Sequence, residues 1–165
     1  MLIAWVLGNT VPYHLARAAA ARAAGLDLHL IEICGIDHFR ALETDATGDK
    51  HRTVLYPGLK YEQVPRKAQR VKTALDTIEP DVVCISGWSE GGAIAALRWA
   101  IKHRTAVVMM SESTAYDLPR VWWKEWVKRG IVRRCGGFLV GGTDHVAYIK
   151  ALLGGGEGKP GYERE

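Results

Sequence analysis

Cysteine is scarce in this 165-residue chain: Cys34, Cys84 and Cys135 are odd in number, widely spaced and set in or beside apolar segments. They offer neither a disulfide framework nor a zinc site, and a reducing, cytoplasmic setting is the expectation that follows. Long hydrophobic runs are lacking too; the longest, such as residues 106–110, are far too short to span a bilayer. The apolar start Met1 to Leu7 has no basic region before it and runs into Gly8 and Asn9, so it reads as a first strand and not a secretory signal. Charge imbalance is modest, +4 with a pI near 9.0, which permits an anionic partner without requiring one; nucleic acid is not an expected partner. Metal-ligand spacing is missing among the six histidines, so no metal is expected, and only His14, near a helix start, is suited to a binding role.

What remains is an ordinary globular balance, 48% hydrophobic and 24% charged, in a length that fits one domain. Strand-like runs recur at Leu2–Leu7, 28–33, 54–56, 82–86, 106–110 and 138–140. Most are continuously apolar and rich in Val and Ile, as in strands buried on both faces. Helical patterns lie between them. Residues 13–24 are Ala- and Arg-rich, and Val64, Ala68, Val71, Leu75 and Ile78 recur at helical spacing with Pro65 in the first turn. Further helices are predicted over 89–103, 119–134 and Thr143–Leu153, with Pro119 and Thr143 as starts.

This alternation predicts an α/β fold: a doubly wound, mostly parallel, Rossmann-like sheet of about six strands with helices on both faces. Its ligands would bind outside the carboxyl ends of the strands. The domain is expected over 1–153, followed by a disordered Gly-rich tail, 154–165. The polar stretch from Gly35 to Lys50 is expected to be a mobile excursion.

Gly8 is a lone glycine where a dinucleotide binder needs three, and no Walker loop occurs, so neither a dinucleotide nor another cofactor is expected. Gly8 reads either as a tight turn using glycine's backbone freedom or as a ligand-facing residue. Gly87-Trp88-Ser89-Glu90-Gly91 matches the nucleophile elbow of α/β-hydrolases, with Asp117 and His145 as nominal triad partners. Little chain follows Ser89 to deliver those partners, and no His-Gly-rich oxyanion loop precedes it. In the competing reading Gly87 opens a turn, Ser89 caps the next helix, and Gly91 and Gly92 let that helix approach the sheet. The fifth strand ends in Ser111-Glu112-Ser113-Thr114-Ala115-Tyr116-Asp117, placed where the fold puts ligands. Glu112 and the two serine hydroxyls suit a polyhydroxylated substrate or, alternatively, cap the following helix.

From Arg120 to Arg134, Trp122, Trp123 and Trp126 interleave with basic residues. Three tryptophans in five positions cannot all face one core. Arg120, Lys124 and Lys128 form an i, i+4 stripe suited to a membrane surface or an anionic headgroup; the alternative is a solvated basic face.

Taken together, residues 9–17 (Asn9 to Arg17), 81–88 (Asp81 to Trp88) and Met110-Ser111-Glu112-Ser113 followed by Asp117, Arg120, Lys124-Glu125 and Lys128-Arg129 resemble family 4-type retaining glycosyltransferases of the GT-B fold. Val140-Gly141-Gly142 and Tyr148 through Gly154 continue the likeness, which covers nearly the whole chain up to the tail. The resemblance implies an N-terminal, acceptor-side domain, with the nucleotide-sugar donor held mostly by a second domain not in this chain. It places His14, Glu112, Ser113 and Asp117 near a carbohydrate or lipid-linked acceptor, and Gly8, Asn9, Gly87 and Trp88 facing the cleft. No residue is singled out as a lone catalyst, and Glu157 and Glu165 match the family's paired-glutamate spacing only by coincidence. The expectation is half of a transferase, inactive alone, or a stand-alone binding subunit completed by a partner domain. Peripheral membrane contact is a further expectation.

Overall fold

The computed structural model describes residues 1–36, 49–117 and 121–154. Six strands, β1 (Leu2–Leu7), β2 (Asp27–Ile36), β3 (Arg52–Lys60), β4 (Val82–Ile85), β5 (Ala106–Ser111) and β6 (Gly137–Val140), form one sheet in the order β3-β2-β1-β4-β5-β6, every pair parallel. Among the described residues five α-helices lie between or after the strands: α1 (Pro12–Ala23), α2 (Lys67–Ile78), α3 (Gly91–His103), α4 (Trp122–Val132) and α5 (Thr143–Leu153). This is the doubly wound Rossmann-like fold that the apolar runs predicted, with the order of elements intact.

Side chains alternate across the strands into two cores. Trp5, Leu7, Leu28 and Leu30 pack with Ala18 under α1. Ala4, Val6, Ile31, Ile33, Val83, Ile85, Val107 and Met109 point to the other face, against Val71 and Leu75 of α2, the alanines of α3, Val132 of α4 and Tyr148, Ile149 and Leu152 of α5. Helix α3 sits close because Gly92 has no side chain: a Cβ there would stand 2.0 Å from Cδ1 of Ile33. Gly91 has no such neighbour, so only one of the two glycines serves the approach. The Trp99 indole donates to Asp76 Oδ1 at 2.6 Å and ties α3 to α2.

Several boundaries differ from the sequence expectations for local reasons. Pro65 is not in the first turn of α2; the helix begins at Lys67 after Arg66, which takes a left-handed φ of 49°. β3 is longer than its apolar stretch and contains Pro57, which an edge strand tolerates because one side needs no ladder donor. Ser89 does not cap α3: the N-cap position falls on Glu90, without a side-chain cap. Helix α4 begins at Trp122, and Pro119 and Arg120, like most of the 35–50 excursion and the tail beyond Gly154 with Glu157 and Glu165, lie outside the described residues.

Candidate functional site

In a parallel sheet wound both ways from β1, the crossovers leave in opposite directions at the neighbouring ends of β1 and β4, and a crevice opens there. The structure has a cleft of about 360 Å³ at this point, walled by the ends of β1 (Leu7, Gly8, Asn9), β4 (Ser86), β5 (Met110, Ser111, Glu112) and β6 (Val140, Gly141). The first turns of α1 contribute Tyr13, His14 and Arg17.

Beneath the β1 turn lies a buried ionic network. The Thr10 amide donates to Glu32 Oε1 at 2.6 Å, and Arg52 donates from Nε to Glu32 Oε2 at 3.0 Å. Arg52 Nη2 donates to the same carboxylate and, at 2.9 Å, to Thr10 Oγ1. The Glu32 side chain is fully buried. The Gly8 carbonyl accepts the Cys34 amide at 2.9 Å and the Cys34 thiol at 3.1 Å, so β2 holds the turn in place. Burial pushes that thiol up to about 11, which keeps it protonated and unreactive at neutral pH.

Gly8 does not adopt a left-handed conformation, so backbone freedom is not its reason. The reason is Glu90, whose Oε1 lies 2.9 Å from where a Cβ on Gly8 would stand. Burial raises the Glu90 carboxyl above its ordinary range; hydrogen bonds from Ser86, at 3.3 Å, and from the Gly8 amide, with the charge of Lys67, oppose that rise only in part. Glu90 thus stands at the start of α3 and on the cleft wall.

His14 is held by two contacts. The Val11 amide donates to its Nδ1 at 3.3 Å, and the ring meets Trp5 edge-on with centroids 5.6 Å apart. Accepting at Nδ1 leaves the proton of the neutral ring on Nε2. Burial, then the nearby Arg17 charge, lowers its pKa against the weaker pull of Glu112 and Glu32, so His14 is neutral at pH 7. Arg17 lies over the Trp5 and Tyr13 rings at 5.7 and 5.2 Å and donates to the Tyr13 hydroxyl at 2.9 Å. Trp5 also lines the cleft, and its buried indole N–H has no acceptor among the described residues.

Of the residues named from sequence, Gly8, Asn9, His14 and Glu112 line the cleft. Gly87 and Trp88 do not. Gly87 makes the turn after β4 with a φ of 79°, and that turn sends Trp88 to the opposite side, where it meets Tyr148 edge-on at 5.9 Å. Ser113 and Asp117 are also off the cleft wall. The Ser113 amide donates to Ser111 Oγ at 3.3 Å, and Asp117 accepts the Thr114 amide and hydroxyl at 2.7 and 2.6 Å, which closes a tight local turn.

The hydrolase reading fails on geometry. Ser89 lines a separate depression with Lys72 and Arg98, Asp117 is engaged by Thr114, and His145 packs beside Gly141 and Gly142. The positive φ that strains a nucleophile elbow at its serine falls on Gly87 instead.

Sequence reasoning missed Glu90, Ser86, Trp5 and, as site residues, Tyr13 and Arg17. Glu90 carried a signal, since the residue before a helix that follows a strand-end glycine turn faces the crevice. Trp5 carried none, being one of several apolar strand positions.

Fold and cleft define a Rossmann-like α/β domain with a crevice at the strand ends. No family model matches the chain, and no curated protein matches it in sequence. Its fold is similar to solved UDP-GlcNAc 2-epimerases: that of Methanocaldococcus jannaschii (TM-score 0.59, 19% identity, 93% of this chain and 42% of that one) and that of Rickettsia bellii (0.55, 12%, 93% and 42%). The S. aureus MnaA–UDP co-structure is similar in fold as well (0.57, 12%, 95% and 42%). The chain therefore spans about 42% of the length of the structures it resembles.

Proposed function

We propose that this chain is the acceptor-side half of a glycosyltransferase that moves a sugar from a nucleotide-sugar donor to a hydroxyl acceptor, and that it turns over only with a donor-binding domain. The observation that carries the reading is the composition of the cleft: His14, Arg17, Glu112, Ser86 and Ser111 surround an opening at the sheet's switch point. These groups suit the hydroxyls of a sugar or a polyol, with Glu112 accepting and His14 donating. On this reading the lobe binds the acceptor and takes no covalent part in the transfer, and the Ser86 hydroxyl, which donates to Glu90 at 3.3 Å, belongs to the cleft wall. In such a transfer the departing nucleotide phosphate is stabilised by donors facing it, which on this reading belong to the second lobe.

The structural neighbours bear on the donor. They are UDP-GlcNAc 2-epimerases and one UDP complex, which favours a nucleotide-sugar donor. They also define a second reading, in which the completed protein inverts a centre on a UDP-sugar and needs no acceptor.

The test supplies a GT-B donor-binding domain in trans, or joined to this chain, with UDP-sugars and a panel of hydroxyl acceptors. Acceptor-dependent transfer with retention, abolished by His14→Ala with Glu112→Ala and absent from the isolated chain, is the expected result. Transfer by the isolated chain would refute the half-enzyme reading. Acceptor-independent epimer formation would replace transfer with the second reading.

A further inference from the structure

Helix α4 turns its tryptophans outward. Trp122 and Trp126 are 75% and 72% exposed and Trp123 51%, and Val127 beside them and Ile101 of α3 are exposed as well. The positions of Trp122, Trp123, Trp126 and Val127 fall on one side of the helix, while Glu125 and Val132 occupy the buried side. The i, i+4 stripe expected from sequence does not form on that surface. Lys128 turns inward and donates to Glu125 at 3.0 Å and to the Tyr148 hydroxyl at 2.8 Å, so it is half-buried and spent within the fold. The outward charge comes from other residues. Arg129 of α4, Arg133 and Arg134 just beyond its end and Arg98 of α3 line a groove of about 710 Å³, with Trp126 at its edge and no carboxylate among the described residues of its walls.

We propose that this α3–α4 surface docks on an anionic lipid bilayer, the tryptophans at headgroup depth and the arginines on lipid phosphates. Exposed indoles are amphipathic plates that gain most where an apolar layer meets water, and arginine pairs bidentately with phosphate. Charge separates this occupant from two others. A second copy joined through the same face would bring one set of four arginines against another, which a symmetric interface penalises. A second lobe at the strand-end crevice would reach the start of α4 with Trp122 and Trp123 but leave Arg133 and Arg134, which follow the last turn of that 11-residue helix, uncovered. The helix has 11 residues, and no helix among the described residues is long and apolar enough to cross a membrane, so the contact is a surface one. The proposal stands independently of the transferase reading.

The test is flotation of the full chain with vesicles of phosphatidylcholine alone and with about a third phosphatidylglycerol. It is repeated with brominated acyl chains to quench indoles at depth. Binding to anionic vesicles only, falling with salt and accompanied by quenching, is expected. Trp122→Ala with Trp126→Ala should remove the quenching and most of the binding. Arg129→Gln, Arg133→Gln and Arg134→Gln together should weaken partitioning on the order of 100-fold, at about fivefold per arginine. Arg70→Gln on α2, a basic residue away from the groove, should change nothing, and circular dichroism of each variant checks folding. Equal binding to neutral vesicles, binding without quenching, or binding by folded tryptophan variants at the parent level would each overturn the proposal. So would a concentration-dependent dimer, lost in the tryptophan variants, with no vesicle binding.

Discussion

The Thr10 amide donates to the buried Glu32 carboxylate at 2.6 Å, which fastens the turn at the mouth of the cleft to the second strand of the sheet. Arg52 from the third strand completes the arrangement by bonding both residues. Glu32→Ala would leave the Arg52 guanidinium buried without its carboxylate, a loss of about 3–5 kcal/mol for a pair of this kind. Urea unfolding should show it, and the double variant Glu32→Ala, Arg52→Met should recover a large part. Single and double variants of equal stability would mean the pair is not coupled.

Glu90 predicts a pH dependence of opposite sign to that of a paired surface carboxylate. Its folded pKa is raised above the ordinary 4.5 by burial, so between those two values the folded chain holds a proton that the unfolded chain has lost. Glu90's contribution is therefore fully present below pH 4.5 and is lost as pH rises through the raised value. Glu90→Gln removes this titration, and the difference in unfolding free energy between variant and parent should widen in favour of the variant across that window. A constant difference would contradict the assignment.

The contact between Gly92 and Ile33 is tight enough to test by complementation. Gly92→Ala places a Cβ 2.0 Å from Ile33 Cδ1, and overpacking of this order costs about 1–3 kcal/mol. Ile33→Val deletes that methyl group, so the pair of substitutions should be closer to the parent in thermal unfolding than Gly92→Ala alone.

His14 reports the electrostatics of the cleft. Its proton NMR titration should have a midpoint below 6.5, since burial and Arg17 both disfavour the imidazolium. Arg17→Gln should move the midpoint up, and Glu112→Gln should move it further down by removing an opposing charge. If the midpoint does not respond to either change, the three side chains do not share one cleft.

The neutral His14 also makes a binding prediction. Acceptor affinity should be roughly constant above pH 6.5 and change below it, where protonation at Nδ1 ends its acceptance from the Val11 amide and frees the ring to move, and His14→Ala should weaken binding about fivefold to tenfold, the worth of one hydrogen bond. Isothermal titration across pH is the measurement.

The buried runs were legible because a strand covered on both faces is apolar along its whole length, and β1 and α5 fall at their expected bounds. Crevice residues borne on strand ends, Gly8 and Glu112, could be placed for the same reason. Trp88 and Asp117 could not. The direction of Trp88 depends on the left-handed Gly87 before it, and Asp117 is consumed by Thr114 three residues back. Lys128 matched a surface stripe in one dimension, yet Glu125 and Tyr148 draw it inward.

Local pattern alone determined the α/β class, the order of elements and the edge of the sheet where ligands belong, because these follow from hydrophobic period and the handedness of crossovers. Tertiary structure alone decided the pairing of Glu32 with Arg52, the approach of Glu90 to Gly8 and the exposure of the α4 tryptophans. Each joins or frees residues far apart in the chain, and burial and charge act through space while periodicity records only neighbours along it.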